Sequence, residues 1–140
     1  MTNNNAFLIK TVFSLNGISY QLKDLMDICF PKNPRNVFFL TVENYRSGDQ
    51  IHYIDNNEEK MIGIVFAVKN SKGFTLENLA IHPAYRNNKL SMILMDKFLK
   101  IHKGIITLTT RIPGYFEKYD FRIIDKLPDG SFFMYFINIA

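Results

Sequence analysis

The sequence predicts an α/β (α+β) fold, a mixed and mostly antiparallel sheet of about seven strands flanked by helices, in one domain over residues 1–140. Three observations predict it. Apolar runs of strand length recur along the chain, polar turns join neighbouring runs as hairpins, and a helix between two strands requires one parallel crossover. No repeat, low-complexity tract or Pro/Gly-rich linker divides the chain.

The N-terminal third predicts one strand and one helix. Residues 6–14 are rich in apolar and β-branched residues, as strands are. Residues 18–30 carry apolar side chains at helical spacing, and this pattern stops before Pro31. Those side chains are Leu22, Leu25, Met26 and Cys29. Residues 36–46 are ambiguous, because their apolar run fits a strand or a buried helix.

The central third predicts three antiparallel strands. Gln50–Asp55 and residues 60–69 are apolar runs on either side of a polar turn at 56–59, which is typical of a hairpin. Residues 74–81 form the next strand, which follows a turn at 70–73.

The C-terminal third begins with the clearest helix, at residues 88–102. Its apolar side is predicted to consist of Leu90, Ile93, Leu94, Phe98 and Ile101. Residues 105–110 predict a strand, 113–119 a short helix, and 121–127 with 131–139 a final hairpin that turns at 128–130. The last strand is strongly apolar, and as a sheet edge it would offer a surface for a homodimer.

Composition narrows the function. The net charge of +4 (17 basic and 13 acidic side chains) is small and scattered, which argues against a nucleic-acid groove. The single cysteine, Cys29, fits a reducing compartment, and no run has the length of a membrane span or the pattern of a signal peptide. We therefore expect a cytoplasmic protein without a membrane partner. The three histidines lack metal-ligand spacing, so no metal site is predicted.

One segment carries the strongest functional signal. The apolar strand Leu79, Ala80, Ile81 leads through a proline turn and Arg86 into a polar loop and the helix at 88–102. The first N–H groups of such a helix converge on one point, where the positive end of the helix dipole also lies. The segment thus predicts a site for a phosphate-bearing ligand.

Two motifs resemble those of the GCN5-related N-acetyltransferases. Residues 83–91 (PAYRNNKLS) match that family's arginine-containing loop at the start of a helix, and residues 115–121 (YFEKYDF) match its Phe-Tyr-x-x-x-Gly-Phe motif. The resemblance implies acetyl-CoA as co-substrate and direct transfer of its acetyl group to a small-molecule or peptide amine in a ternary complex. It assigns these cofactor-binding residues: Leu79, Ala80, Ile81, Arg86, Asn87, Asn88, Lys89, Leu90, Ser91 and Phe116.

The chain departs from the family pattern at four positions. Lys89 and Ser91 replace both loop glycines, which normally allow close backbone approach to the pyrophosphate. Lys89 fits if its φ stays negative, and the Ser91 hydroxyl can donate to a phosphate oxygen. Phe116 stands where the family has a tyrosine that can protonate the departing thiolate. Asp120 replaces a glycine and can occupy a left-handed turn position.

Three residues are candidates for proton transfer. Glu77 is the best base, on a strand whose alternation predicts one face for the odd-numbered residues of 75–81 and the other for the even-numbered ones. A merely solvated or ion-paired Glu77 is the alternative. Tyr119, three residues after Phe116, could reach the position of the missing acid; Tyr115 points about 100° away from Phe116. Packing or exposure is the alternative for both tyrosines.

Two other functions stay open. A non-catalytic protein of the same fold could bind CoA or a protein partner, which the lost glycines and the lost tyrosine favour. A basic nucleic-acid-binding domain would need exposed aromatic residues beside the lysines.

Overall fold

The computed structural model describes residues 8–30, 49–56 and 60–139. Seven strands lie in these ranges: β1 Ile9–Val12, β2 Gln50–Asp55, β3 Met61–Asn70, β4 Gly73–Ile81, β5 Gly104–Thr110, β6 Arg122–Lys126 and β7 Phe132–Asn138. The helices are α1 Ser19–Cys29, α2 Leu90–Ile101 and α3 Pro113–Glu117, with a 3-10 helix at Pro83–Asn88. The ambiguous segment 36–46 lies outside the described residues.

The strands form one sheet in the order β1-β2-β3-β4-β5-β7-β6. All neighbours are antiparallel except β4 and β5, which are parallel and are joined by the crossover through α2. The predicted fold class is confirmed, and so is the predicted order of strands along the chain. The expected position of the last strand is wrong, because β7 lies between β5 and β6. Its apolar character therefore reflects an interior place in the sheet, and a homodimer stays a prediction.

A hydrophobic core covers each face of the sheet. On one face α2 buries Leu90, Leu94, Met95 and Phe98 against β2–β5 and β7. On the other face α1 packs its buried residues Leu22, Leu25 and Met26 against β2, β3 and β4. Each of these side chains contributes roughly 1.5–3 kcal/mol by leaving water. The predicted apolar face of α2 was wrong at one position: Ile101, the last residue of the helix, is 40% exposed, and Met95 is buried instead.

A bulge interrupts β4 in the middle. Phe66 of β3 pairs with Glu77, whereas Ile64 pairs with Ala80, so Asn78 and Leu79 together face one residue of β3. Asn78 adopts a left-handed φ of 55°. The extra residue reverses the alternation beyond it. The predicted sharing of faces along 75–81 is therefore wrong: Leu76 and Ile81 both belong to the core beneath α2, although one is even-numbered and the other odd.

The parallel pair opens into a cleft. β4 and β5 pair only at Gly73–Thr75 with residues 105–107, yet β4 continues to Ile81 and β5 to Thr110. Beyond Thr75 the two strands diverge, and the bulge lies on the wall of this opening.

No helix in the described ranges is both long and apolar enough to cross a membrane.

Candidate active site

The cleft between β4 and β5 holds a cavity of about 760 Å³. This volume is within the range of about 300–1,000 Å³ that small-molecule and cofactor sites occupy. The C-terminal end of α1, the first turn of α2 and the helix α3 complete its walls. The predicted site residues that line it are Glu77, Leu79, Ala80, Ile81, Arg86, Ser91, Tyr115 and Phe116.

The turn after β4 is organised by local hydrogen bonds. The His82 side chain accepts the Ala84 N–H through Nδ1 at 3.1 Å, and the Tyr85 N–H donates to the His82 carbonyl at 2.9 Å. A 3-10 helix over Pro83–Asn88 follows, in which proline supplies the preset φ of a first turn. Asn87 and Asn88 end this helix, and Lys89 joins it to α2.

Lys89 takes the conformation that a glycine would adopt most readily. Its φ is 57° and its ψ is 29°, so the negative φ under which a lysine fits this position without strain is not what the structure has. The left-handed conformation costs a residue with a side chain roughly 1–2 kcal/mol, and here it allows the chain to leave the 3-10 helix and start α2 directly. Among the described side chains, none caps the start of α2. A helix start of this kind presents N–H groups that a ligand can bind, and Ser91 of this first turn lines the cavity.

Arg86 is fixed to the strand it follows. Its Nε donates to the Ile81 carbonyl at 3.0 Å, while the side chain remains exposed on the cavity wall. This bond uses one of the five N–H donors of the guanidinium. The group is thus held at the mouth of the cavity, close to the start of α2, with donors to spare for phosphate oxygens.

Cys29 contacts the same Ile81 carbonyl as Arg86, and no pattern in the sequence indicated this contact. Its thiol donates to the Ile81 carbonyl at 3.4 Å, and the side chain is half-buried on the cavity wall. Burial raises the pKa of the Cys29 thiol, while the charge of Arg86 and a hydrogen bond with it act in the opposite direction. The thiol therefore stays protonated at neutral pH and links α1 to the turn.

Glu77 lies on the β4 wall just before the bulge. Although its side chain is exposed, surrounding atoms raise its pKa by desolvation, and the negative charge of Asp49 adds to this effect. Asp49 is itself buried and accepts the Lys69 N–H at 2.9 Å. A carboxylate with a raised pKa is a better proton acceptor than an ordinary surface glutamate.

The aromatic residues of α3 divide between the core and the cavity. Phe116 is buried and contacts Phe121, with ring centroids 6.1 Å apart. Tyr115 lines the cavity and donates from its hydroxyl to Ser91 Oγ at 2.8 Å. Tyr119 is not among the lining residues; its ring centroid lies 5.7 Å from that of Tyr115.

Tyr119 and Asp120 end this segment. Burial raises the pKa of Tyr119, and a hydrogen bond to Tyr115 raises it further, so Tyr119 holds its proton firmly. Asp120 has a φ of 71°, which confirms the predicted left-handed turn.

A pair of histidines is buried in the core rather than at the cavity. His52 Nε2 lies 2.7 Å from His102 Nε2, and Thr11 Oγ1 lies 2.8 Å from His52 Nδ1. Their separation of 50 residues hid this contact from sequence reasoning. Burial lowers the pKa of each imidazole to about 4. Within the described ranges, no three His, Cys, Asp or Glu side chains are grouped so as to hold a metal ion.

Comparison with known proteins identifies the fold. No protein-family model matches the sequence, and no curated protein matches it. An aminoglycoside 6'-acetyltransferase of type Ii has a similar structure, with a TM-score of 0.77, 18% sequence identity, and coverage of 95% of this chain and 98% of that one. An aminoglycoside 6'-N-acetyltransferase complexed with coenzyme A is also similar, with a TM-score of 0.76 at 16% sequence identity. The match covers 95% of this chain and 98% of that one.

A GNAT-family acetyltransferase from Staphylococcus aureus Mu50 is also similar. Its TM-score is 0.72 at 20% identity, with coverage of 95% of this chain and 100% of that one. At such identities the likeness establishes the fold alone. The chain has the fold of the GCN5-related N-acetyltransferases over nearly its whole length.

Proposed function

We propose that the protein is an acetyl-CoA-dependent N-acetyltransferase that moves an acetyl group directly to an amine. The observation that supports this most is the cavity between the diverging strands β4 and β5. At one end it has Arg86 and the uncapped start of α2, and on its wall it has the carboxyl group of Glu77. One protein with a similar structure, an aminoglycoside 6'-N-acetyltransferase, is complexed with coenzyme A.

The residues present fit a CoA molecule. Arg86 and the backbone N–H groups at the start of α2 would hold the pyrophosphate, since both favour phosphate oxygens. Strand residues Leu79–Ile81 would lie beside the pantetheine, whose amides need backbone partners. Asn87, Asn88, Lys89 and Leu90 would contribute through the backbone of the turn, while Phe116 supplies an apolar wall.

The reaction joins an amine nitrogen to the acetyl carbon. Acetyl-CoA supplies an activated acyl group and a thiolate leaving group. The new C–N bond replaces the C–S bond, and Glu77 takes the proton of the amine through a water molecule. Backbone N–H groups of Leu79–Ile81 would stabilise the oxyanion that develops on the acyl carbonyl. Holding the two reactants together accounts for up to about 7–11 kcal/mol of the barrier.

The thiolate can leave without an acid. Tyr115, on the cavity wall, and Tyr119, behind it, are the two hydroxyls nearest to Phe116 in sequence. Because a thiolate is a far better leaving group than an alkoxide, acyl transfer does not require a proton from either of them.

The charge of the cavity wall bears on the acceptor. Of the charged residues that line it, in the part of the chain that the structure describes, Glu77 is acidic whereas Arg86 and Arg111 are basic. Arg86 is assigned to the CoA pyrophosphate, and Arg111 contacts the carbonyl and the carboxylate of Asp129, so Glu77 is the charged group of this lining that is left for the acceptor. We therefore expect a small-molecule or peptide amine that approaches the carboxyl group of Glu77.

Titration calorimetry with acetyl-CoA and with CoA tests the cofactor site. We expect micromolar binding of both at moderate salt. Absence of binding would remove the cofactor assignment. If both bind, release of CoA thiol in the presence of monoamines, peptides and an aminoglycoside tests the reaction and shows which class of amine accepts the acetyl group.

A second function is favoured by one observation, the buried Phe116 at the position of the family's acid. A protein that binds CoA without transferring its acetyl group would bind in the calorimeter but release no thiol with any amine. Thiol release that depends on an amine would exclude this alternative.

A further inference from the structure

The strands β5, β6 and β7 have one face that lies outside both hydrophobic cores. Phe132, Met134 and Phe136 of β7 belong to the core beneath α2, so the alternate residues of this strand point to the other side of the sheet. The core beneath α1, on that other side, involves residues of β1–β4 and, among the described residues, none of β5, β6 or β7. We call this side of β5, β6 and β7 the outer face.

The outer face is apolar along its middle strand. Its β7 residues are Phe133, Tyr135 and Ile137, of which the first two are half-buried and Ile137 is 53% exposed. The residues of β5 that pair with them, and therefore share their face, are Thr109, Thr107 and Ile105. A strand with one face in water alternates apolar and polar side chains, but β7 is apolar on both faces. This pattern is typical of a strand that is covered on both sides.

The edge strand β6 adds one charge of each sign to the outer face. Arg122 pairs with Tyr135, and Asp125 pairs with Phe133. Both charged side chains are exposed, and neither belongs to an ion pair within the described residues. The face therefore has a positive charge beside one aromatic residue and a negative charge beside the next.

These positions make the outer face complementary to itself. A two-fold axis that lies between two stacked sheets and runs across the strands reverses the strand direction of the second copy, while β6 stays above β6 and β7 above β7. When this axis passes between Tyr135 and Phe133, Arg122 of each copy meets Asp125 of the other, and the two aromatic residues meet in the same way. An axis along the strands would instead place β6 above β5, where these charges meet threonines.

We propose that the outer face is the interface of a homodimer, in which Arg122 of each copy pairs with Asp125 of the other. This inference does not depend on the proposed function, and it places dimerisation on a face of the sheet rather than at its edge. Packing of the two faces would cover the apolar side chains of β7 in both copies. The two ion pairs would fix the orientation. A second copy is the partner that fits, because the face itself supplies the opposite charges.

Sedimentation equilibrium over a series of concentrations tests the interface. The unchanged protein should approach twice the mass of one chain as its concentration rises. Arg122→Asp and Asp125→Arg should each raise the dimer Kd about 10-fold or more, because like charges then meet in both pairs. An equal mixture of these two variants should recover the affinity of the unchanged protein, since each copy then meets opposite charges.

Lys126→Asp is the matched control for Arg122→Asp. It makes the same change of charge on the same strand, but Lys126 pairs with Phe132 and its Nζ lies 5.8 Å from that ring, on the side of the α2 core. This variant should dimerise like the unchanged protein. Equal weakening by Lys126→Asp and Arg122→Asp would overturn the inference, because net charge rather than a matched pair would then explain the loss.

Three further outcomes would contradict the interface. An unchanged protein that stays monomeric at every concentration would overturn it. A dimer with the same Kd in both reversal variants would have its interface elsewhere. A mixture of the two variants that dimerises no better than either alone would exclude pairing of Arg122 with Asp125. Neither residue lines the cavity, so CoA binding should be the same in all these variants, and failure here would leave the proposed function untouched.

Discussion

The core and the cavity both contain ionisable side chains with shifted pKa values, but the two regions use them differently. His52 and His102 are fully buried and contact each other through their Nε2 atoms, and His102 Nδ1 is buried without a hydrogen-bond partner among the described residues. Glu77 and Arg86 lie on the wall of an open cavity, where a ligand can reach them. Burial shifts the pKa in both regions. Access to a ligand therefore distinguishes the candidate site, and a shifted pKa by itself does not.

Acidification should produce the largest effect, in the core. The pKa of each buried histidine is about 4 in the folded protein and has its ordinary value of 6.5 in the unfolded chain, so the unfolded chain binds more protons. The stability these imidazoles provide is complete above pH 6.5 and is lost as the pH falls toward 4. Between pH 7 and pH 5 we expect a loss of about 2 kcal/mol for each histidine, measured by urea unfolding.

A double replacement by leucine is the control for the histidine pair. His52→Leu with His102→Leu removes both titrating groups together, so neither partner is left unpaired. The variant should lose most of the pH dependence between pH 7 and 5. If the free energy of unfolding of the variant depends on pH as that of the unchanged protein does, groups other than the histidine pair cause the acid sensitivity.

Replacement of the candidate base should give the next largest effect, in the cavity. Glu77→Gln removes the proton acceptor, and we expect turnover to fall about 100-fold, most at lower pH, where fewer amine molecules are already deprotonated. CoA affinity should not change. Glu117→Gln, on the exposed side of α3, is a matched control. A Glu77→Gln enzyme with the original pH profile would assign the base to another group.

Loss of the anchored guanidinium should weaken binding without affecting the core. Arg86→Ala should raise the Kd for CoA by about 10-fold or more, because a charge-assisted hydrogen bond to phosphate is lost. The thermal midpoint should change little, since the side chain is exposed. Arg122→Ala on β6, also exposed, is the control. Equal CoA affinity in Arg86→Ala would contradict the phosphate assignment.

The smallest effect should come from the turn that joins the two regions. Lys89→Gly should stabilise the protein by about 1 kcal/mol, because glycine adopts a φ of 57° without the cost of a Cβ. Lys97→Gly, inside α2, should instead destabilise it by about 1 kcal/mol. Denaturant unfolding of both variants would measure the difference. Destabilisation in both would show that the Lys89 side chain contributes contacts that outweigh the backbone strain.

Local patterns in the sequence were sufficient for the order of elements and for the turn between β4 and α2. Apolar periodicity depends on near neighbours, so the strands, α1, α2 and α3 were predictable from residues a few positions apart. Local patterns also predicted that Arg86 lies in the turn before a helix and that Asp120 has a left-handed backbone conformation. Glu77 was also located correctly on β4, because a carboxylate in an apolar strand stands out in the sequence.

Long-range pairing decided the rest. The bulge at Asn78 depends on the register with β3, and it reversed the faces that strand alternation predicted. The contact between His52 and His102, the approach of Cys29 to Arg86 and the bond from Tyr115 to Ser91 join residues 24 to 57 positions apart. Sequence spacing carries no information on such contacts, because packing of the helices on the sheet determines which side chains meet. The sequence by itself therefore determined the elements and the turn before α2, whereas the tertiary structure decided which hydroxyl, thiol and carboxyl groups share the cavity.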